Sequence, residues 1–215
     1  MTYAVKEIFY TLQGEGANAG RPAVFLRFTG CNLWTGLQKD RDAGPGGCSR
    51  WCDTNFVGTD GTGGGKFKTA DELVAAVVSH WPAHVKHAHP LVVCTGGEPL
   101  LQLDAELAHA FRRAGFNVAV ETNGTIEPPA GVFWITVSPK AGSLLKIRTG
   151  HELKLVYPQP GAEPERFQDL DFRHFYLQPM DGPKAAENTK LALQYCLEHP
   201  QWRLSLQTHK ILGIA

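Results

Sequence analysis

Short apolar runs, each ending in glycine or polar residues, recur along this chain, and they leave few folds open. Residues 22–30, PAVFLRFTG, read as a strand ending in Gly, and LVVCT (91–95) reads as a buried parallel strand. NVAVET (117–122), VFWITVS (132–138), ELKLVY (152–157), HFYLQP (174–179) and WRLSLQ (202–207) repeat the theme. Helical patterns lie between several of them. Thr69 opens one, with Glu72 as its capping-box partner and an apolar face through Leu73, Val74, Val77 and Val78. Others cover about 103–114, stopped by Gly115, and about 185–198. Strands alternating with helices over short connections predict parallel βα units in one sheet. About six strands fall short of the eight units of a closed barrel. The expected architecture is α/β, a partial, open parallel β/α barrel of about six strands, in one domain over 1–215.

The stretch 31–67 breaks this rhythm. It is long for a loop, rich in Gly and Asp, and such loops are usually functional. It carries Cys31, Cys48 and Cys52, with sixteen residues in the first gap and three in the second. A structural zinc takes four protein ligands, whereas a [4Fe–4S] cluster held by three thiolates leaves one iron open. Three clustered cysteines favour the open cluster, with a zinc knuckle or free thiols as the bland alternative. Cys94 and Cys196 read as core thiols. Five cysteines, three of them together, argue against a disulfide framework and for metal in a reducing compartment. The GTGGG run at 61–65 lacks the Lys-Ser/Thr of a phosphate loop and reads as a flexible tie. The histidines at 80, 84, 87 and 89 read as a solvated connection rather than a metal string.

Lys+Arg and Asp+Glu balance at 21 each, so no global field would draw the chain to nucleic acid. No apolar run is long enough to span a bilayer, and the first residues do not read as a signal peptide. A cytoplasmic location is the expectation.

Ligands of parallel α/β sheets sit at the carboxyl ends of the strands. Those ends carry Thr95-Gly96-Gly97-Glu98-Pro99, Glu121-Thr122-Asn123-Gly124, Ser138-Pro139-Lys140 and Gln178-Pro179-Met180-Asp181-Gly182. Their convergence on the cysteine loop predicts one large polar site. GGEP alone could be an ordinary strand-to-helix turn. Arg27 could be a strand-end ion pair, and Lys140 could be solvated.

Downstream of a three-cysteine loop, Gly-Gly-Glu-Pro resembles the motif of radical S-adenosylmethionine enzymes. LQGEG (12–16), RFTGCNLW (27–34), CDT (52–54), CTGGEPLLQLD (94–104), ETNG, SPK, QPMDG and WRLSLQTHK (202–210) together resemble the 7-carboxy-7-deazaguanine synthase family. The resemblance runs from near residue 1 to the C-terminus. It implies a lyase that turns 6-carboxy-5,6,7,8-tetrahydropterin into 7-carboxy-7-deazaguanine on the route to queuosine. In that chemistry a 5′-deoxyadenosyl radical takes hydrogen from C6 of the pterin, the ring contracts, and ammonia is lost. The implied cofactors are a [4Fe–4S] cluster, S-adenosylmethionine and Mg²⁺.

By the same resemblance Cys31, Cys48 and Cys52 bind the cluster. Trp51, Cys52, Asp53, Gly97, Ser138, Pro139, Lys140, Gln178, Pro179, Met180 and Asp181 line the cofactor. Thr54 contacts Mg²⁺. Leu12, Gln13, Gly14, Arg27 and Thr95 hold the substrate, with the chain-end carboxylate of Ala215 in a C-terminal tail (208–215) that closes the site. His209 and Glu15 are further polar contacts. A flavodoxin-like electron donor and a homodimer are also implied. The chain departs from the usual superfamily loop, C-x3-C-x2-C, by the extra residue between Cys48 and Cys52. Two other readings stand beside this one: another small radical enzyme, such as a glycyl-radical activating type, and a non-catalytic zinc-binding module.

Overall fold

The computed structural model describes residues 2–42, 47–86 and 89–214. Among the described residues nine strands form one sheet: β1 (Tyr3–Leu12), β2 (Pro22–Phe28), β3 (Gly65–Phe67), β4 (Leu91–Gly96), β5 (Asn117–Thr122), β6 (Trp134–Val137), β7 (Thr149–Tyr157), β8 (Asp171–Pro179) and β9 (Trp202–Leu204). Their order is β3-β1-β2-β4-β5-β6-β7-β8-β9. From β2 to β9 every neighbouring pair is parallel. This is the open parallel α/β barrel expected from the sequence, with two antiparallel strands added at one edge.

Those added strands are the part that periodicity missed. β1 carries Lys6 and Glu7 among its apolar residues, which blurs its alternation. β3 ends the glycine run read as a flexible tie, and that reading is corrected. Gly61 N–H donates to the Lys6 carbonyl at 3.0 Å, and Ile8 N–H to the Thr62 carbonyl at 2.7 Å. A Cβ on Gly64 would lie 2.3 Å from the Lys6 carbonyl oxygen, so glycine is what lets this segment lie flat against β1.

The helices α1 (Ala70–His80), α2 (Ala105–Arg113), α3 (Ala185–Glu198) and α4 (Thr208–Leu212) follow β3, β4, β8 and β9. Half of the capping box at α1 is formed, Thr69 accepting from Glu72 N–H, while the Glu72 carboxylate reaches one residue further back and takes Lys68 N–H. Leu73, Val74 and Val77 are buried as expected. Val78 is instead exposed, because it turns past the edge of the apolar stripe. Asp104 caps α2, accepting from Leu107 N–H at 2.9 Å.

Alternation along the strands divides the core in two. Val24, Leu26 and Phe28 of β2, Val92 and Cys94 of β4, Val118 and Val120 of β5, and Leu153 and Leu155 of β7 belong to one large outward core, which also takes in Leu73, Val77, Leu107 and Phe111 of the helices. Residues of opposite parity point inward. Low in the barrel, Ala23, Leu91, Val93 and Ala119 join Phe25 and Trp134 in a small apolar floor. Higher on the same face the inward residues become Arg27, Thr95, Glu121, Ser138, Lys154 and Gln178, and these line a cavity. A period-two strand thus supplies a helix-facing core and a polar site at once. Among the described residues no helix is long and apolar enough to cross a membrane.

Candidate active site

A cavity of about 370 Å³ opens at the carboxyl ends of the strands. Its walls include Cys31, Cys48 and Cys52 together with Trp51, Asp53, Thr54, Gly97, Ser138, Lys140 and Gln178. Leu12, Gln13, Gly14, Arg27 and Thr95 line it too, so the sites expected for cluster, cofactor, Mg²⁺ and substrate share one space. Pro139, Pro179, Met180 and Asp181 are not on the lining. Met180 is held by its backbone to Tyr157 and Asn188, and Asp181 binds Lys210. Ala215 and the glycines and proline at 44–46 lie outside the described residues, as does His87.

The cysteine loop is built by local turns. Cys48 and Ser49 are buried in a short 3-10 turn (Gly47–Arg50), and both Trp51 N–H and Cys52 N–H donate to the Cys48 carbonyl, at 3.1 and 2.8 Å. Burial pushes the Cys48 thiol up to about 11 and raises Cys31 as well. Thiols in such a place deprotonate when a metal takes them. Among the described residues no three or more His, Cys, Asp or Glu side chains converge closely enough to hold a single metal ion. A cluster asks for something else, since each thiolate takes its own iron around a shared space.

Strand β4 meets this loop through glycine. A Cβ on Gly97 would lie 2.2 Å from the Gly30 carbonyl oxygen and 2.7 Å from the Cys31 Cβ. Glu98 N–H donates to that same Gly30 carbonyl at 3.0 Å. Glu98 itself does not face the cavity. Fully buried, it accepts from Leu100 N–H (3.0 Å), Thr122 Oγ1 (2.7 Å) and Asn123 N–H (2.8 Å), which locks the GGEP turn to the end of β5. Burial raises its pKa despite these donors. Lys140 is no solvated lysine: its Nζ donates to the Ser138 carbonyl (2.6 Å) and Oγ (2.7 Å) and sits 5.8 Å from the Trp51 ring centre. Burial draws its pKa below the ordinary lysine value.

Part of the lining is a charge network, of which Glu15 and Glu121 were expected at the site and Lys154 and Glu152 were not. Lys154 is buried between Glu15, its direct partner, and Glu121 at 3.5 Å. Burial opposes its charge, but Glu121, Glu15 and Glu152 outweigh that and raise its pKa above the usual value. Glu15 stays ionised for the reciprocal reason. Burial would raise its pKa, but Lys154 and the donors around it bring the net below the ordinary range. Gln13 Nε2 donates to Glu121 at 2.9 Å, while Gln178 and Gln207 donate to Glu15 at 3.2 and 3.0 Å. Glu121 and Lys154 were visible in sequence as charges inside apolar strands, and that break in hydropathy was the available signal. Arg27 pairs with Glu7 across β1 and β2, Nε to Oε1 at 2.7 Å, so the strand ion pair considered above is present. Arg27 nevertheless lines the cavity.

The residues fit the groups that the resemblance implies. The thiols and the side-chain-free Gly97 meet on one wall. Gln178 Oε1, buried and on the lining, accepts no hydrogen bond within the protein. A buried acceptor without a donor suits an N–H or O–H of a bound molecule. Cluster and S-adenosylmethionine are thus accommodated by thiolates, a close-approach backbone and unspent polar groups.

The tail lies at the rim, where His209 and Lys210 line the cavity. Thr208 N–H and Oγ1 donate to the Gly14 carbonyl at 3.0 and 2.9 Å. Lys210 Nζ reaches Asp53 (2.7 Å) and Asp181 (2.5 Å), joining the cysteine loop to the exit of β8. His209 packs on Gly14, where a Cβ would lie 2.2 Å from its Nδ1.

No family model matches the chain. The 7-carboxy-7-deazaguanine synthase of Bordetella pertussis is 60% identical over 214 residues, covering 100% of both chains. That of Caulobacter vibrioides is 61% identical over the same length and coverage. The solved structure of QueE from Escherichia coli superposes with a TM-score of 0.69 at 27% identity, covering 96% of this chain and 94% of that one. With its three cysteines, strand-exit glycines and acid–amide wall around one cavity, the chain belongs to the 7-carboxy-7-deazaguanine synthase family of radical S-adenosylmethionine lyases.

Proposed function

We propose that the cavity converts 6-carboxy-5,6,7,8-tetrahydropterin to 7-carboxy-7-deazaguanine with loss of ammonia, and that its two walls divide the work. The observation carrying this reading is that the three cysteines and the charge network of Gln13, Glu15, Glu121, Lys154 and Gln178 line one space. When bound, the cluster and S-adenosylmethionine supply the hydrogen-abstracting radical chemistry, which belongs to the cofactor rather than the protein.

Cys31, Cys48 and Cys52 hold the cluster. Gly97 leaves room for the methionyl end of the cofactor, while Ser138, Lys140, Gln178 and Trp51 orient it. Pro139, Pro179, Met180 and Asp181 shape the backbone behind these contacts. Gln13 and Glu121 suit the donor-rich aminopyrimidinone edge of a pterin, because a carboxylate accepts two parallel N–H bonds in one plane. Lys154, 3.5 Å away, holds that carboxylate in place. Arg27, oriented by Glu7, meets the pterin carboxylate with its remaining N–H groups, together with Leu12, Gly14 and Thr95. Thr54 offers its hydroxyl to Mg²⁺, which keeps several waters and accepts sparse protein contacts. The tail residues His209 and Lys210 exclude water from the cavity. The chain acts as one domain, in the cytoplasm and as a homodimer, with electrons from a flavodoxin-like donor.

The test is anaerobic turnover. Cluster-loaded protein with dithionite, S-adenosylmethionine, Mg²⁺ and the carboxypterin should form 7-carboxy-7-deazaguanine, read by mass spectrometry, with no protein partner added. Formation of 5′-deoxyadenosine without that product would overturn the substrate assignment. Neither product from an intact cluster would overturn the mechanism.

A further inference from the structure

One cation ties the two limbs of the cysteine loop together, and nothing in the sequence pattern singled it out. Arg41 Nη1 donates to the carbonyls of Ser49 (2.9 Å) and Cys52 (3.1 Å). Ser49 Oγ donates back to the Arg41 carbonyl at 2.5 Å. Arg41 Nε binds Gln38 Oε1 at 2.6 Å, which fixes the plane of the guanidinium. Its carbon lies 5.1 Å from the ring centre of Trp34, and Trp34 packs edge-on against the buried Phe56. Trp34 belongs to the limb that follows Cys31, and Ser49 and Cys52 to the limb of Cys48. A single planar fork therefore spans both limbs, a geometry that the point charge of lysine does not reproduce.

The carbonyls it holds are those of the unusual segment. With three residues between Cys48 and Cys52, the turn closes through Cys52 N–H to the Cys48 carbonyl. That bond turns the Ser49 and Cys52 carbonyls toward Arg41, which takes both.

We propose that Arg41 is the positioning residue for the iron–sulfur cluster. It fixes the lengthened Cys48–Cys52 turn against the Cys31 limb, so that three thiolates face one cluster, and it sets a permanent positive charge beside it. The proposal rests on the cluster reading of the cysteines and goes beyond the contacts that the family resemblance assigns. Outer partners that orient metal ligands typically contribute about 10–100-fold to metal retention. A nearby cation also favours the reduced, more negative state of a cluster.

The experiment compares cluster-loaded wild type, Arg41→Met and Arg41→Lys under anaerobic conditions. Iron release to a chelator is followed by the visible absorbance, and the reduction midpoint by titration. Arg41→Met should release iron at least about tenfold faster than wild type, with its midpoint moved to more negative potential. Arg41→Lys should also lose iron faster, because its shorter, unforked head cannot hold the two carbonyls, Gln38 and the Trp34 face at once, yet keep the wild-type midpoint because it keeps the charge. Ser49→Ala, which removes only the reciprocal bond, should release iron faster than wild type without moving the midpoint. If Arg41→Met matches wild type in both iron release and midpoint, the turn holds itself and the proposal is wrong. Neither readout involves the pterin, so failure here is separable from failure of the substrate assignment. A protein that takes up no iron at all would instead overturn the cluster reading.

Discussion

Glu152 shows how one buried acid links the barrel floor to the site. It takes Ala17 N–H at 2.9 Å, and burial lifts its pKa to about 7 against the pull of Lys154. The unfolded chain releases this proton near 4.5, the ordinary value for a glutamate, while the folded chain keeps it to about 7. The contribution is therefore fully present below that lower value and is lost as pH rises through the higher one. At about 1.4 kcal/mol per pH unit it amounts to roughly 3 kcal/mol across the window. Glu152→Gln keeps an acceptor for Ala17 but has no proton to lose. Its thermal midpoint should fall less than that of wild type between about pH 5 and pH 7. Parallel slopes in calorimetry would mean that Glu152 is ionised throughout. Gly16 explains why the acid can approach so closely: at φ +64° it adopts a backbone that disfavours other residues, and a Cβ there would strike the Glu152 carboxylate.

Helix caps tie the elements that periodicity located to the strand it missed. Asp104 caps α2 and also accepts Tyr3 O–H, 3.0 Å to each oxygen, which pins the helix to β1. Thr69 makes only its cap at α1. Removing a cap costs about 1 kcal/mol, and losing a buried tyrosine's partner roughly another 1 kcal/mol or more. Asp104→Ala should therefore destabilise by about 2 kcal/mol and Thr69→Ala by about 1 kcal/mol. Chemical denaturation checks the order; equal losses would show that the Tyr3 contact contributes nothing. α3 ran over the residues that its pattern predicted, because Gly and Pro bracket it. β1 was hidden because its inward face is polar where it joins the site, with Glu7 opposite Arg27.

Across the whole molecule the tail and the segment that follows β1 are joined although they lie at opposite ends of the chain. Thr208 binds Gly14, Gln207 binds Glu15, and Lys210 bridges Asp53 and Asp181. Gly14→Ala should dislodge His209, because its Cβ would sit 2.2 Å from the imidazole. The expected outcome is faster proteolysis of the tail and a fall in kcat/KM of up to roughly 100-fold, the scale of a small misplacement of bound substrate. Tail cleavage and turnover equal to wild type would exclude a closing role. Both the proteolysis and the kinetics use the cluster-loaded enzyme.

The sequence by itself determined the parallel strands, their polar exits, helices α1 to α3 with the cap at Thr69, and the three thiols. Each of these follows from local chemistry, namely period, capping residues and side-chain type within a few positions. Tertiary structure decided the rest. The pairing of Lys154 with Glu15 and Glu121, the lock of Glu98 onto β5, the flat packing of the glycine run on β1 and the grip of Arg41 on the cysteine turn join residues whose separation carries no period. Such contacts are selected only when burial removes water and leaves each charge or amide to find its partner inside the fold. For that reason the chemistry of the site was legible from its cysteines and glycines, while the groups that orient it became visible only once the barrel had brought them together.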